Sequence, residues 1–223
     1  LAEVALAARA WAQLNPDAFE RGDLTMEDVL SSRMVLEPLT LRDCCLLTDG
    51  AGAVVMTRPD RARDLAQKPA YFLGGGVASY NRAISEMPDL TTTAAKDSGA
   101  RAYAMAGLGP ADMNVLQLYD AFTINVILFL EDLGFCPKGE GGVFVSGGHI
   151  APGGGLPVNT NGGGLSFTHP GMYGIFTLIE ATRQLRGEAG ARQIPDAETV
   201  LCHGNGNTLS HQATAILGSE NTL

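Results

Sequence analysis

The glycine-rich stretch from residue 141 to residue 174 constrains the fold of this chain more than any other feature. It holds 12 of the 28 glycines and ends in the segment VNTNGGGLSFTHPGMYG, residues 158–174. Glycines allow positive φ values and close approach of the backbone to other groups. His169 follows the glycine turn, precedes Pro170 and stands just ahead of a helical segment. A histidine held in this way fits a catalytic acid, base or oxyanion donor, or else a structural turn with a satisfied ring.

Composition places the chain among folded globular proteins. Hydrophobic residues make up 45% and charged residues 17% of the 223 positions, enough for one large domain or two small ones. The net charge of −9 and the lack of a basic cluster argue against nucleic acid as a partner. The longest apolar run, residues 121–130, is too short to span a bilayer, and no signal peptide opens the chain, so we expect no membrane association.

The four cysteines show no spacing typical of a metal site, and adjacent Cys44 and Cys45 make a poor disulfide framework. We therefore expect reduced thiols, no bound metal and a cytoplasmic protein. The chain begins with Leu1 inside an alanine-rich helical pattern that no capping residue precedes. This beginning indicates a piece of a longer protein.

Helical and extended patterns alternate along the chain, which is typical of a layered α/β fold. The patterns predict helices over residues 1–14, 25–34, 60–67, 92–107, 121–133 and 172–186. They predict strands over residues 49–57, 71–80, 115–118, 199–204 and 208–217, with a polar loop over 188–198. The helix over 121–133 is apolar on nearly every side, so we expect it to be buried.

Three motifs coincide with predicted strand ends, where functional side chains gather in α/β folds. They are YDAF at residues 119–122, the His169 turn, and CHGNG at residues 202–206. In this order, and with DGAGAVV at residues 49–55, they resemble the motifs of the thiolase superfamily. The resemblance runs from about residue 24 to residue 217 and is closest to lipid-transfer-protein-type thiolases and their bacterial aldolase relatives. It implies a thiolase-like α/β fold, a mixed β-sheet with buried and covering helices.

Thiolases consist of two similar halves, and the resemblance implies that residues 83–223 form a complete C-terminal half. Residues 1–82 resemble the connecting region and closing strands of the first half, which is otherwise absent. The acyl-accepting cysteine of thiolases belongs to that first half, and the family has no nucleophile at the place of Cys44 and Cys45. The chain is then a fragment, receives its nucleophile from elsewhere, or is aldolase-like and never used one. A fragment is the simplest explanation.

The resemblance also assigns roles by position. His169 matches the histidine that activates the nucleophilic cysteine and, with a bound water, forms one oxyanion hole; an imidazole suits both tasks. Gly204 matches the glycine whose backbone N–H belongs to the other oxyanion hole. Cys202 matches the second cysteine, which moves a proton on and off the substrate. The alternative for Cys202 is a small hydrophobic residue buried at a strand end.

Tyr119 stands where thiolases keep an asparagine, or a histidine in the lipid-transfer branch. A phenol projects further than these side chains and cannot hold the oxyanion water in the same way. It would donate directly or act as an acid/base, as in the aldolase relatives, which need no covalent acyl-enzyme. The alternative is a structural tyrosine whose ring is packed against other side chains and whose hydroxyl is solvated. Tyr173 is a lesser candidate, since HPGMYG is one residue shorter than the usual thiolase motif.

The resemblance implies an acyl-CoA-acting enzyme that makes or breaks a carbon–carbon bond next to a thioester. We expect Claisen-type acyl transfer of the acetyl-CoA acetyltransferase or 3-ketoacyl-CoA thiolase kind, in lipid metabolism. A retro-aldolase that cleaves a β-hydroxyacyl-CoA is the close alternative, and a non-catalytic acyl-CoA-binding or partner-binding subunit is the third. Coenzyme A enters as a thioester substrate, with no tightly bound cofactor. A homo-oligomer is implied, and in the aldolase branch a small acyl-CoA-binding partner with zinc and an OB-fold.

Overall fold

Helices and strands alternate along the chain in the computed structural model, which describes residues 1–206 and 209–223. The helices are α1 (Ala2–Gln13), α2 (Met26–Leu30), α3 (Pro59–Ala62), α4 (Ala95–Ala106), α5 (Thr123–Asp132), α6 (Gly141–Val145) and α7 (Gly174–Arg186). The strands are β1 (Met34–Leu36), β2 (Leu39–Thr40), β3 (Tyr71–Ser79), β4 (Val115–Leu118), β5 (Thr199–Gly206) and β6 (His211–Gly218). A π-helical turn spans Gly163–Phe167. No helix within the described ranges is long and apolar enough to cross a membrane.

Four strands form one mixed sheet in the order β3-β6-β5-β4. Strand β6 pairs antiparallel with β3 and β5, whereas β4 runs parallel to β5. A parallel pair needs a long crossover, and the segment from α5 to α7 supplies it. Helices α4 and α5 cover one face, while α7 packs on β5 and β4 from the other. The predicted layered α/β fold, with a mixed sheet and with buried and covering helices, is therefore confirmed.

Capping residues set the ends of several helices where the sequence predicts them. Thr25 and Asp28 form the reciprocal capping box at the start of α2. Gly107 and Gly187 end α4 and α7 in the left-handed conformation, with φ values of 68° and 74°. Helix α5 is buried along most of its length, as its continuous apolar sequence predicts.

Several predicted elements differ from the structure. Residues 49–57 form no strand and are exposed, because no strand of the described chain pairs with them. The helix predicted over 25–34 ends at Leu30, and Met34 instead opens β1 of a small hairpin with β2. The helix predicted over 60–67 is one short turn in which only Ala62 is buried, so little packing extends it. Residue 208 of the last predicted strand lies outside the described residues, and β6 begins at His211.

Candidate active site

Tyr119 directly follows β4, a strand in which every residue is buried. Its backbone N–H donates to the carbonyl oxygen of His203 on β5 at 2.9 Å, which continues the parallel pairing beyond the end of β4. The ring is 8% exposed. The sheet therefore fixes the point from which the phenol projects.

Asp120 holds the glycine-rich turn in place. Its carboxylate accepts from the backbone N–H groups of Gly164 at 2.6 Å and Leu165 at 3.3 Å. A Cβ atom on Gly163 would lie 2.0 Å from Asp120 Oδ2, so only glycine allows this approach. Burial raises the pKa of Asp120 to about 7, although the two N–H groups act in the opposite direction. Asp120 thus anchors the turn that leads into His169.

His169 and Tyr119 form a buried hydrogen-bonded pair. The Nε2 atom of His169 lies 3.1 Å from the Tyr119 hydroxyl oxygen, and each residue is 8% exposed. Their rings meet edge to face, with centroids 5.5 Å apart. The backbone N–H of His169 donates to Thr48 Oγ1 at 2.9 Å, which ties the histidine to the segment before residues 49–57. The other ring nitrogen, Nδ1, is buried and has no protein partner among the described residues.

Burial keeps both members of the pair uncharged near neutral pH. It lowers the pKa of His169 below 6.5 and raises the pKa of Tyr119 above 10. A backbone hydrogen bond from Tyr173 opposes the shift on Tyr119 but does not reverse it. At neutral pH the phenol is therefore protonated, and a neutral imidazole can accept its proton through Nε2.

Tyr173 completes an aromatic cluster around the pair. Its hydroxyl donates to Asn161 Oδ1 at 2.9 Å, and its ring lies 5.7 Å from that of Tyr119 and 6.5 Å from that of His169. Tyr173 is fully buried, and burial raises the pKa of its phenol well above 10. The sequence indicates Tyr173 only as a lesser candidate and gives no role to Asn161, although Asn161 belongs to the NTNGGG motif beside the predicted turn.

Cys202 and Gly204 lie on β5, on the face that α7 covers. Cys202 Sγ donates to the Thr177 carbonyl oxygen at 3.5 Å, and burial raises the pKa of this thiol to about 12. Both residues line an apolar cavity of about 480 Å³ that reaches Gly174, but its lining includes neither Tyr119 nor His169. The structure thus brings the predicted tyrosine and histidine together and places the cysteine and glycine at a neighbouring cavity.

The remaining cysteines and histidines form no second centre. All four cysteines are free thiols, and burial raises the pKa of Cys45 to about 11 with help from Asp120 and Cys44. No group of three His, Cys, Asp or Glu side chains within 1–206 and 209–223 is arranged to hold a metal ion. His203 faces α5 on the side of the sheet opposite to Cys202, as the strand alternation predicts.

Comparison with known proteins identifies the family. Residues 76–219 match the thiolase C-terminal domain-like family. The chain belongs to this family. It is 40% identical to an acetyl-CoA acetyltransferase of Methanothermobacter thermautotrophicus, in an alignment over 93% of this chain and 55% of the relative. It is also 40% identical to the 17-hydroxy-3-oxo-4-pregnene-20-carboxyl-CoA lyase of Mycobacterium tuberculosis, over 82% of this chain and 49% of the relative.

A solved aldolase structure aligns with the whole chain. The chain matches the Ltp2-ChsH2(DUF35) aldolase with a TM-score of 0.91 and 35% identity, over 100% of this chain and 58% of that one. The chain spans about half the length of the curated relatives that it matches. The proteins that this thiolase-family chain is similar to thus include an acetyltransferase, a lyase and an aldolase.

Proposed function

We propose that this thiolase-family chain carries the acid/base pair of a carbon–carbon lyase that cleaves a β-hydroxyacyl-CoA by a retro-aldol reaction. The observation behind this proposal is the 3.1 Å contact between the Tyr119 hydroxyl and His169 Nε2 inside a buried cluster. A thiolase histidine serves a cysteine nucleophile, whereas here a phenol occupies a hydrogen-bonding position on the imidazole. This arrangement favours tyrosine acid/base chemistry over the Claisen-type acyl transfer that the sequence motifs predict.

The pair suits each proton transfer of a retro-aldol step. The Tyr119 oxygen takes the proton of the substrate's 3-hydroxyl group while its own proton passes to His169 Nε2. The C2–C3 bond then breaks, C3 becomes the carbonyl of an aldehyde or ketone, and the electron pair forms the enolate of the thioester at C2. The proton returns from His169 through Tyr119 to C2 and gives the shortened acyl-CoA. No oxidant or covalent intermediate is needed.

Cys202 and Gly204 keep their proposed roles beside the pair. The backbone N–H of Gly204 would donate to the thioester oxygen as negative charge develops on the enolate. The Cys202 thiol, whose raised pKa keeps it protonated, could deliver a proton but is a poor nucleophile. Both residues line the cavity of about 480 Å³ next to the start of α7.

Acyl transfer is the second candidate, and the 40% identity to an acetyl-CoA acetyltransferase favours it. His169 would then activate a cysteine that lies outside these 223 residues, with Cys202 as the acid/base. In either reaction we propose coenzyme A as a thioester substrate, with no tightly bound cofactor. A cytoplasmic location, a boundary between residues 82 and 83, a homo-oligomer and a small zinc- and OB-fold-containing partner also remain proposals.

A substitution at Tyr119 separates the two reactions. The full-length protein is assayed with β-hydroxyacyl-CoA alone, and separately with 3-oxoacyl-CoA plus CoA. In Tyr119→Phe we expect cleavage of the β-hydroxyacyl-CoA to fall by about 100-fold or more, the usual contribution of a general acid/base. Tyr103→Phe is the matched control, because the Tyr103 hydroxyl donates to the Leu133 carbonyl oxygen away from the site.

Two results would contradict the lyase proposal. One is full cleavage activity in Tyr119→Phe, and the other is a natural enzyme that catalyses only CoA-dependent thiolysis. If acyl-CoA binds but neither substrate is converted, the non-catalytic binding subunit is the correct alternative.

A further inference from the structure

A buried polar cluster, which we call the Thr160 cluster, lies beside the candidate site and takes no part in the proton transfers. Its members are 5% exposed or less: Gln117, Thr160, Glu180, Gln184 and Arg192. Arg192 donates to Glu180 through two nitrogens, Nε to Oε1 at 2.9 Å and Nη2 to Oε2 at 3.0 Å. The sequence pattern predicted a plain polar loop over residues 188–198, but Arg192 in that loop is buried.

Thr160 is the hub of the cluster. Its hydroxyl donates to Glu180 Oε1 at 2.8 Å. The hydroxyl oxygen of Thr160 also accepts from the side-chain amides of Gln117 at 2.9 Å and Gln184 at 3.0 Å. One hydroxyl therefore joins β4, α7 and, through Glu180, the turn that carries Arg192, and all three meet at the loop over residues 158–162.

The two residues that flank Thr160 hold the site itself. Asn159, with a φ of 54°, accepts from the Leu118 N–H at 2.6 Å, and its side chain is hydrogen-bonded to Asp120. Asn161 Oδ1 accepts from the Tyr173 hydroxyl and from the Gly163 N–H. A shift of Thr160 would therefore move Asp120 and Tyr173, the two groups that flank the Tyr119–His169 pair.

The chemistry of the Thr160 cluster argues for positioning rather than for stability alone. A buried ion pair gains little over an apolar core of the same volume, because both charges lose their hydration. What it does provide is directional bonding, which admits one arrangement of the groups. We propose that Thr160 and the Glu180–Arg192 pair are positioning residues that fix residues 158–162, so that Tyr119 and His169 stay within hydrogen-bond distance.

The test compares Thr160→Val, which keeps the shape but removes the hydroxyl, with Thr160→Ser, which keeps the hydroxyl. Glu180→Gln is not used, because it leaves a buried unpaired Arg192 and threatens folding. The control is Thr93→Val, which removes another buried threonine hydroxyl that donates to a carboxylate, Asp132, at 2.8 Å between α4 and α5. Each full-length variant is examined for urea stability, for the NMR titration of the His169 ring, and for kcat and KM with β-hydroxyacyl-CoA.

We expect Thr160→Val to move the midpoint of the His169 titration up toward 6.5, because a loosened loop admits water to the ring. We expect kcat to fall about tenfold or more with little change in KM, as for a misaligned acid/base pair. Thr160→Ser should restore both properties, and Thr93→Val should lower stability while leaving both at their natural values.

The proposal is wrong if Thr160→Val loses stability as Thr93→Val does but keeps the natural His169 titration. The kinetic part rests on the proposed lyase function, whereas the titration does not. If the natural protein cleaves no β-hydroxyacyl-CoA, the lyase proposal fails, and the shift of the His169 titration still decides the positioning role.

Discussion

The proposed chemistry of the candidate site depends on the hydrogen bond between the uncharged side chains of Tyr119 and His169. Tyr119 and His169 are both 8% exposed, and neither carries a charge near neutral pH, because burial moves the two pKa values apart. The neutral imidazole can take the proton of the neutral phenol and later return it.

The wide gap between the pKa values of His169 and Tyr119 predicts a broad plateau in the pH profile of kcat/KM. Since the lyase needs neutral His169, kcat/KM for β-hydroxyacyl-CoA should fall on the acid side with a midpoint below 6.5. Since it needs protonated Tyr119, the alkaline fall should have its midpoint above 10. Steady-state kinetics across the stable pH range check both limbs. An acid limb centred near 7 would match protonation of Asp120 rather than of His169 and would contradict this assignment.

At the scale of secondary-structure elements, the close approach of α4 to β3 decides the packing behind the site. Strand β3 continues through three consecutive glycines, Gly74, Gly75 and Gly76. A Cβ atom on Gly76 would lie 2.2 Å from the Ser98 carbonyl oxygen and 2.7 Å from Arg101 Cβ, both in α4. The glycines therefore let a helix rest directly on the strand backbone.

Gly76→Ala should push α4 off the sheet, because the obstacle is backbone and cannot rotate away. We expect the free energy of unfolding to fall by about 1–3 kcal/mol, the usual cost of overpacking. Urea denaturation measures it. Gly22→Ala serves as the comparison, since a Cβ there meets nothing within 4 Å, and its effect should stay within about 0.5 kcal/mol. Equal stability of the two variants would refute the close-packing argument.

The sequence predicts best those elements whose patterns are satisfied locally. Strand β4 and the glycine ends of α4 and α7 come out at the predicted residues, because a short apolar run and a left-handed cap depend on near neighbours. Residues 49–57 have the composition of a strand, but a strand also needs a partner, and no described strand offers one. Periodicity carries no information about such partners.

In the candidate site, too, the sequence identifies some residues and misses those that depend on distant partners. The contact between Tyr119 and His169 brings together two residues that the motif order had singled out. Asp120, Asn161 and Thr48 were missed as supporting residues, because the partners that define their roles lie elsewhere in the sequence: the backbone N–H groups of Gly164 and His169 and the hydroxyl of Tyr173. Arg192 was missed for the same reason, since its partner Glu180 lies on a different element.

At the scale of the whole molecule, two buried groups pull the acid stability in opposite directions. Burial lowers the pKa of His203 from 6.5 to about 4, so its contribution is complete above pH 6.5 and is lost as the pH falls toward 4. Burial raises the pKa of Asp120 from 3.8 to about 7, so its contribution is complete below 3.8 and is lost as the pH rises through 7. A single stability curve therefore hides both effects.

Comparing the natural chain with a His203 variant separates the contribution of His203 from that of Asp120. The free energy of unfolding is determined from pH 7 to pH 4 for the natural chain and for His203→Gln. The difference in free energy of unfolding between the natural chain and His203→Gln should shrink by about 3 kcal/mol from pH 7 to pH 4, since each pKa unit corresponds to about 1.4 kcal/mol. Gly22→Ala is the control, because a Cβ there meets nothing within 4 Å and the change removes no titratable group, so the slope should stay unchanged. A constant difference between the natural chain and His203→Gln would exclude the buried imidazole as the source.

The alternation of β5 gives the molecule two reporters at adjacent positions. The Cys202 thiol faces the cavity under α7, while the His203 ring lies against Phe129 of α5 in the opposite layer. Once Cys44, Cys45 and Cys136 are replaced by serine, reaction of Cys202 with a thiol reagent would report opening on the side of the site, and the imidazole resonance of His203 would report loosening of the layer behind the sheet. Local opening and general unfolding become distinguishable events within a single strand.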